Sequence, residues 1–244
     1  MEHLPEGYPE AGLLYTSATY FLDFDVPEVH NFAINAIASA KDTRTKATRL
    51  FYAVRDNIRY DPYSISMDRK TYKASSLIRA GQGFCLPKAN LLAAAARAVN
   101  IPSCIGLSDV KNHLCTPRLK RMMGGKELFL HHGYALLYIE DKWVKAAPAF
   151  NIELCEKFGV IPTEFDGESD ALFQQFDARN QLHIEYVRHH GVWSDFPFER
   201  VAKDFKEYYP LSVYDEDARV KVDAALGSPN STFENENLKQ RTGC

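Results

Sequence analysis

No stretch of this chain reaches the roughly 18 consecutive apolar residues that a membrane-spanning helix requires, so no membrane partner is expected. The opening residues MEHLPEGYPEAG lack a basic start followed by an apolar run, which predicts a cytoplasmic, soluble protein. Cysteine is sparse: five thiols, at positions 85, 104, 115, 155 and 244, stand at irregular spacings with no CxxC pair. That pattern argues against both a disulfide framework and a zinc finger. His113 with Cys115, or His189 with His190, has no second ligand pair at the usual spacing, so no metal and no cofactor are expected. A D-x-[DN]-x-[DN]-G loop is also missing, which removes the calcium signature. Neither charge sign is in large excess: 29 Lys and Arg stand against 32 Asp and Glu, a net charge of -3. Nothing in that balance calls for nucleic acid, and a peptide or an amide-bearing small molecule fits better as partner. Repeats and long linkers are absent, and no feature of the sequence speaks to oligomeric state.

What is present suffices for a substantial core, since 45% of the 244 residues are apolar. The expected organisation is a single domain over residues 1–215, with a core of about 14–150, an extension 151–215 packed on it, and a polar, mobile tail 216–244. LYTSATYFLDF at 14–24 alternates like a strand. Pro27 opens a helix with Val29, Phe32, Ala33, Ala36, Ile37 and Ala40 on one face. Asp42 caps a second, carrying Ala47, Leu50, Phe51, Val54 and Ile58 until Pro62 stops it. A third helix from Leu86 to Val99 is so rich in alanine that other backbones can approach it closely, which makes it central and buried. Asn100 is its left-handed stop, and 101–110 is a strand. EDK between two apolar runs predicts a hairpin with strands near 127–139 and 142–149. A strand at 182–187 and an amphipathic helix at 197–209 follow. Helices followed by a meander of strands make the class α+β.

GQGFC, residues 81–85, places Cys85 at the N-terminus of the alanine-rich helix. There unpaired N–H groups and the helix dipole stabilise a thiolate, and the Cys85 N–H is free to serve as an oxyanion donor. Gly81 and Gly83 permit the turn, and Pro87 suits the first helical turn. The plain alternative is a small residue packed at a helix start. A reactive cysteine needs a base. His131 and His132 lie on a predicted strand, where neighbours face opposite ways, so alternation lets only one look toward Cys85 and does not choose between them. Gln82 is a candidate side-chain oxyanion donor, Tyr134 and Trp143 candidate walls of an acyl-binding cleft. The basic residues between Lys111 and Lys126 form a candidate steering patch.

Two separated motifs carry a resemblance. GQGFC…LLAAAARAVNIPS followed by HGYALLYIEDKWVKAAPAF resembles, in order and spacing, the core of the transglutaminase-like superfamily, of papain-like fold. The helix ending AVRDNIRYD is similar too, and the likeness covers roughly residues 14–150. It implies a cysteine helix packed on an antiparallel sheet, with Cys85 as nucleophile and His132 as base. The chemistry implied is acyl transfer through a thioester, with hydrolysis of a peptide or amide bond preferred over transfer to an amine. An arylamine N-acetyltransferase would share the logic but need an acyl-coenzyme A site that the sequence does not display. One departure matters, because the family's third catalytic residue, an aspartate, falls at Ala147. Asn151 is the candidate replacement, Asp109 and Asn112 are alternatives, a Cys85–His132 dyad of low activity is a third explanation, and a catalytically inactive peptide-binding module is the reading that Ala147 favours.

Overall fold

The computed structural model describes residues 10–112, 115–173, 184–226 and 232–236. The first helix, α1 (Pro27–Ile37), starts on its proline and buries Val29, Ala33 and Ile37. Helix α2 (Thr43–Asn57) is capped by the Asp42 carboxylate, which accepts the Thr45 N–H at 2.8 Å. A short strand β1 (Arg59–Tyr60) leaves it, a helix α3 (Ala74–Ala80) follows, and Gly81 ends α3 in the left-handed region at φ 66°. Strand β2 (Gln82–Gly83) then pairs in parallel with β1 and delivers the chain into α4 (Cys85–Ala98).

Helix α4 is the centre of the molecule. Leu86 through Arg97 are all buried, and the helix packs on α1, α2 and α3 on one side and on the sheet on the other. Full burial of leucines such as Leu91 and Leu92 contributes about 1.5–3 kcal/mol each relative to exposure. Two buried cations hold neighbouring segments to the helix. The Lys88 ammonium donates to the Arg55 and Ile58 carbonyls at 2.9 and 2.5 Å, closing the C-terminal end of α2. The Arg97 guanidinium donates to the carbonyls of Ser17, Ser103 and Ser194.

The main sheet is antiparallel, with strand order β5-β4-β3-β6: β3 (Ser103–Asn112), β4 (Leu128–Ile139), β5 (Lys142–Ala146) and β6 (Ile184–Trp193). Helix α5 (Pro117–Met122) lies between β3 and β4, and α6 (Ile152–Phe158) follows β5. Helices α7 (Phe198–Tyr208) and α8 (Glu216–Leu226) close the chain. The β4–β5 turn puts Glu140 and Asp141 at φ 48° and 64°, the two positive angles that a type I′ hairpin needs. The class is α+β with an antiparallel sheet, as the pattern of elements predicts. No helix among the described residues is long and apolar enough to cross a membrane.

Three segments differ from expectation. Residues 14–24 form no strand: a single 3-10 turn, Leu13–Tyr15, leads into bends. The Thr19 hydroxyl accepts the Leu22 N–H and donates to Asp195, and such local side-chain bonds compete with a sheet ladder. The stretch from 216, expected to be a mobile tail, begins as α8, which a bidentate Arg118–Asp223 pair anchors at 2.6 and 2.8 Å. Phe233 is buried against Tyr60, Tyr63 and Phe158, while residues 227–231 and 237–244, Cys244 included, lie outside the described residues. The strand expected at 182–187 is observed as Ile184–Trp193, with 182 and 183 outside the described residues.

Burial pushes the Lys88 pKa down to about 7 from its ordinary 10.5, so between these values the unfolded chain holds a proton that the folded chain has released. Stability contributed by this site therefore rises with pH across that window, and below about pH 7 the cost of the buried charge is fully present. Urea unfolding at a series of pH values should show this rise in the native protein and its absence in Lys88→Met. An unchanged pH dependence in the variant would assign the rise to other groups.

Candidate active site

The site is built where α4 meets β4. Gly133 on β4 faces the start of the helix. A Cβ there would stand 3.1 Å from the Leu86 Cα and 2.8 Å from its Cδ2, so only glycine lets the helix approach this closely. The approach brings the Cys85 thiol to the strand backbone. The N–H groups of Gly133, Leu86 and Cys85 itself all favour its thiolate form, but burial outweighs them and pushes the thiol up to about 11. Cys85 keeps part of its surface open, onto a narrow cavity of about 70 Å3.

His132 lines the same cavity. Its ring stacks on Phe173 at 4.6 Å between centroids and 30° between planes, and Tyr186 lies edge-on at 6.1 Å. Its Nε2 is buried with no hydrogen-bond partner among the described residues, and burial pushes its pKa down to about 3. The resting pair is therefore a neutral thiol and a neutral imidazole, not an ion pair. His131 contributes to the cavity wall too, but its imidazole is engaged by Asp204 and lies against His190, whereas that of His132 stacks on Phe173, so the two rings have different surroundings, as alternation along a strand leads one to expect. The strand is nonetheless bulged at this point: the β3–β4 register shifts between Ser108 and Val110, and His131 sits at φ 56°. The remaining wall is apolar apart from Asn112, aromatic and aliphatic in similar measure, with Tyr60, Phe84, Phe150, Phe173 and Phe233 among the rings.

The other candidates are spent elsewhere. Asn151 is buried, but its Oδ1 accepts the Tyr60 N–H at 3.0 Å and its Nδ2 donates to Glu153 at 2.9 Å and Glu234 at 3.4 Å. Its amide ties β1 to the start of α6 and makes no bond to His132. Gln82 accepts from Arg59 at 2.9 Å and reaches Asp61 at 3.5 Å, outside the cavity wall. Tyr134 and Ala147 belong to a separate apolar cluster with Tyr15, Cys104, Leu136 and Val192, so Tyr134 does not wall the cleft. Trp143 packs edge-on against Tyr15 and Tyr138, away from the cavity. Ala147 itself is fully buried, its N–H donated to the Ala171 carbonyl, and offers no carboxylate. Asp109 accepts from the His131 N–H and the His190 ring instead of His132, while Asn112 stands in the cavity wall.

Four of the five basic residues of the expected steering patch are engaged within the protein, and Arg121 is exposed. Lys111 and Lys120 pair with Glu127, Arg118 with Asp223 and Glu236, and Lys126 lies over the Tyr208 ring at 3.8 Å. His113 lies outside the described residues. Phe173, which holds the imidazole plane, was invisible to spacing arguments because it reaches the site from beyond β5. The Gly133 N–H could have been anticipated from a glycine set between a histidine and a tyrosine in an otherwise alternating strand.

Residues 30–148 match the family model of the transglutaminase-like superfamily. No curated protein matches the chain. Among solved structures, the chain is similar to a protein from Cytophaga hutchinsonii provisionally named a cysteine protease, at 15% identity and a TM-score of 0.42, over 73% of this chain and 53% of that one. It is also similar to the arylamine N-acetyltransferase of Salmonella typhimurium, at 13% identity and a TM-score of 0.43, over 80% of this chain and 71% of that one. The chain thus spans about half the length of the Cytophaga protein.

An unpartnered buried ring nitrogen costs about 1–3 kcal/mol. His132→Phe keeps the stack on Phe173 and removes that cost, so the variant should unfold at a higher temperature than the native protein. A loss of stability of comparable size in a melting experiment would mean that the imidazole is satisfied after all.

Proposed function

We propose that this chain, in which residues 30–148 form a transglutaminase-like core, performs cysteine-dependent acyl transfer, with hydrolysis of a peptide or amide bond as the net reaction. The observation that carries the reading is the shared cavity. In it the Cys85 sulfur faces the N–H groups of the α4 N-terminus and of Gly133, and the same cavity is lined by a histidine whose Nε2 is left without a partner among the described residues. A buried unsatisfied group is retained against its cost when chemistry uses it.

In this mechanism His132 takes the thiol proton as the sulfur attacks the amide carbonyl. Backbone N–H groups at the start of α4, and that of Gly133, stabilise the oxyanion of the tetrahedral intermediate. The intermediate collapses as His132 hands its proton to the departing amine, leaving an acyl-thioester on Cys85. Water, deprotonated by His132, then releases the acid and restores the thiol. Stacking on Phe173 takes over the orienting role that Ala147 cannot play. The apolar wall, part aliphatic and part aromatic, favours an apolar acyl group. A cavity of about 70 Å3 is too narrow for a peptide, so the acyl donor enters by displacing part of that wall.

A second reading, a peptide-binding module without turnover, is favoured by the fully buried Ala147 in place of the aspartate. Intact-mass analysis after incubation with an activated aryl ester separates the two. Catalysis requires a single acyl adduct on Cys85, slowed at least tenfold in His132→Phe, and amine or water as the final acceptor is read from the released product. No adduct, or one indifferent to His132, leaves only the binding module. Because burial holds the thiol up to about 11, iodoacetamide labelling of Cys85 in the absence of substrate should accelerate with pH to a midpoint above the ordinary thiol value of 9. A midpoint at or below 9 would show a thiolate already present at rest.

A further inference from the structure

A second cluster lies at the other end of the bulge. Asp109 of β3, His131 of β4 and His190 of β6 each bring one potential ligand atom within 4.8 Å of the others, and all three side chains are more than nine-tenths buried. The His131 Nε2 is 2.7 Å from the Asp204 carboxylate, so it carries the proton and Nδ1 is a bare lone pair. That Nδ1 is buried and has no hydrogen-bond partner among the described residues. The His190 Nε2 donates to the Asp109 Oδ1 at 2.7 Å, and its Nδ1 faces the Arg200 guanidinium at 3.3 Å. The same Asp109 oxygen accepts the His131 backbone N–H at 3.0 Å. An open groove of about 810 Å3, lined by Arg188, Arg200, Lys203, Asp204 and Tyr208 among others, leads to the cluster from solvent.

We propose that Asp109, His131 and His190 form a binding site for a borderline divalent transition-metal ion of the zinc class, distinct from the Cys85–His132 pair. Two imidazoles and one carboxylate suit such an ion, whereas calcium and magnesium prefer oxygen alone. The orphaned His131 Nδ1 is the atom left to bind, and Asp204 on its far nitrogen is the outer carboxylate that metal-bound histidines use to fix their tautomer. Three protein ligands leave a fourth position open toward the groove. Binding moves the His190 proton from Nε2 to Nδ1, where it would confront Arg200, so this guanidinium must swing aside. Its partly exposed side chain has room to do so.

Equilibrium dialysis of the full chain against zinc, with metal content read by mass spectrometry, tests the site. One ion per chain is expected, retained in Cys85→Ser and lost in Asp109→Asn and His131→Gln. Asp204→Asn should weaken binding about 10–100-fold, the usual effect of removing an outer-shell partner. Arg200→Ala should tighten it. Both positions face the groove, so these variants keep the test decisive if the buried ones fail to fold. In the cobalt form, absence of a thiolate-to-metal charge-transfer band is expected. Absence of stoichiometric zinc, binding that survives Asp109→Asn, or a thiolate band would each overturn the assignment.

Discussion

The close contact of one helix turn with one glycine organises this molecule. Because Gly133 has no Cβ, the first turn of α4 rests on the β4 backbone, with the Leu86 Cα only 3.1 Å from where a methyl group would be. Everything chemical near Cys85 follows from that distance. It turns the helix N-terminus and a strand N–H toward one sulfur, and it makes the walls of the cavity out of whatever β4 and its neighbours carry there. The same helix secures its surroundings through two buried cations: Lys88 holds the end of α2, and Arg97 ties together Ser17, Ser103 and Ser194. Neither donates to a carboxylate among the described residues. Both rely on carbonyl oxygens at the ends of elements and in loops: Arg55 and Ile58 at the end of α2, Ser103 at the start of β3, and Ser17 and Ser194 outside helices and strands.

Burial and hydrogen bonding act against each other at the thiol, and the balance sets the resting state. A helix N-terminus favours a thiolate by a modest amount, at most about 2 kcal/mol even where it is partly buried, whereas removing a charge from water altogether is more costly. With aromatic rings around both groups, desolvation wins at Cys85 and at His132 alike, and each is held in its neutral form. A neutral pair is not an inert one. Proton transfer from sulfur to imidazole then has to accompany substrate attack, and a bound amide that displaces ring surface and supplies a polar carbonyl changes the local solvation in the direction that favours the charged pair.

Elements whose signals are local were legible in the residues: the Asp42 cap, the proline start of α1, the alanine-rich α4, the EDK hairpin and its positive φ angles, and the amphipathic α7. Local signals also misled where side chains satisfied the backbone in another way, as Thr19 does for Leu22 within a stretch that alternates like a strand. At the site, Cys85 and His132 stood out because they lie in ordered motifs, and both line one cavity. Asn151 stood in a plausible place along the chain, yet its amide is consumed by Tyr60, Glu153 and Glu234, partners that no spacing argument reveals. Phe173, Asp204 and His190 reach their positions from far along the sequence, so only the folded sheet shows what they face.

The bulge at His131 places a strained residue between the Cys85 cavity and the Asp109 cluster. His131, at φ 56° in the left-handed region, gives its imidazole to Asp204 and the Asp109–His190 cluster, while that of His132 stacks on Phe173 in the wall of the Cys85 cavity. A non-glycine residue in that region costs on the order of 1–3 kcal/mol, and the surrounding structure has to over-determine it. It does so here through Asp109, whose carboxylate accepts the His131 N–H that the bulge leaves without a strand partner. The same carboxylate accepts from His190, so the group that stabilises the irregular backbone also draws a third strand into the arrangement. An irregularity held in this way cannot be removed without releasing both imidazoles at once. Removing the bulge by deleting one residue near His131 would turn either the Cys85 cavity or the Asp109 cluster away from its histidine, which is why the strained turn persists in the middle of the sheet.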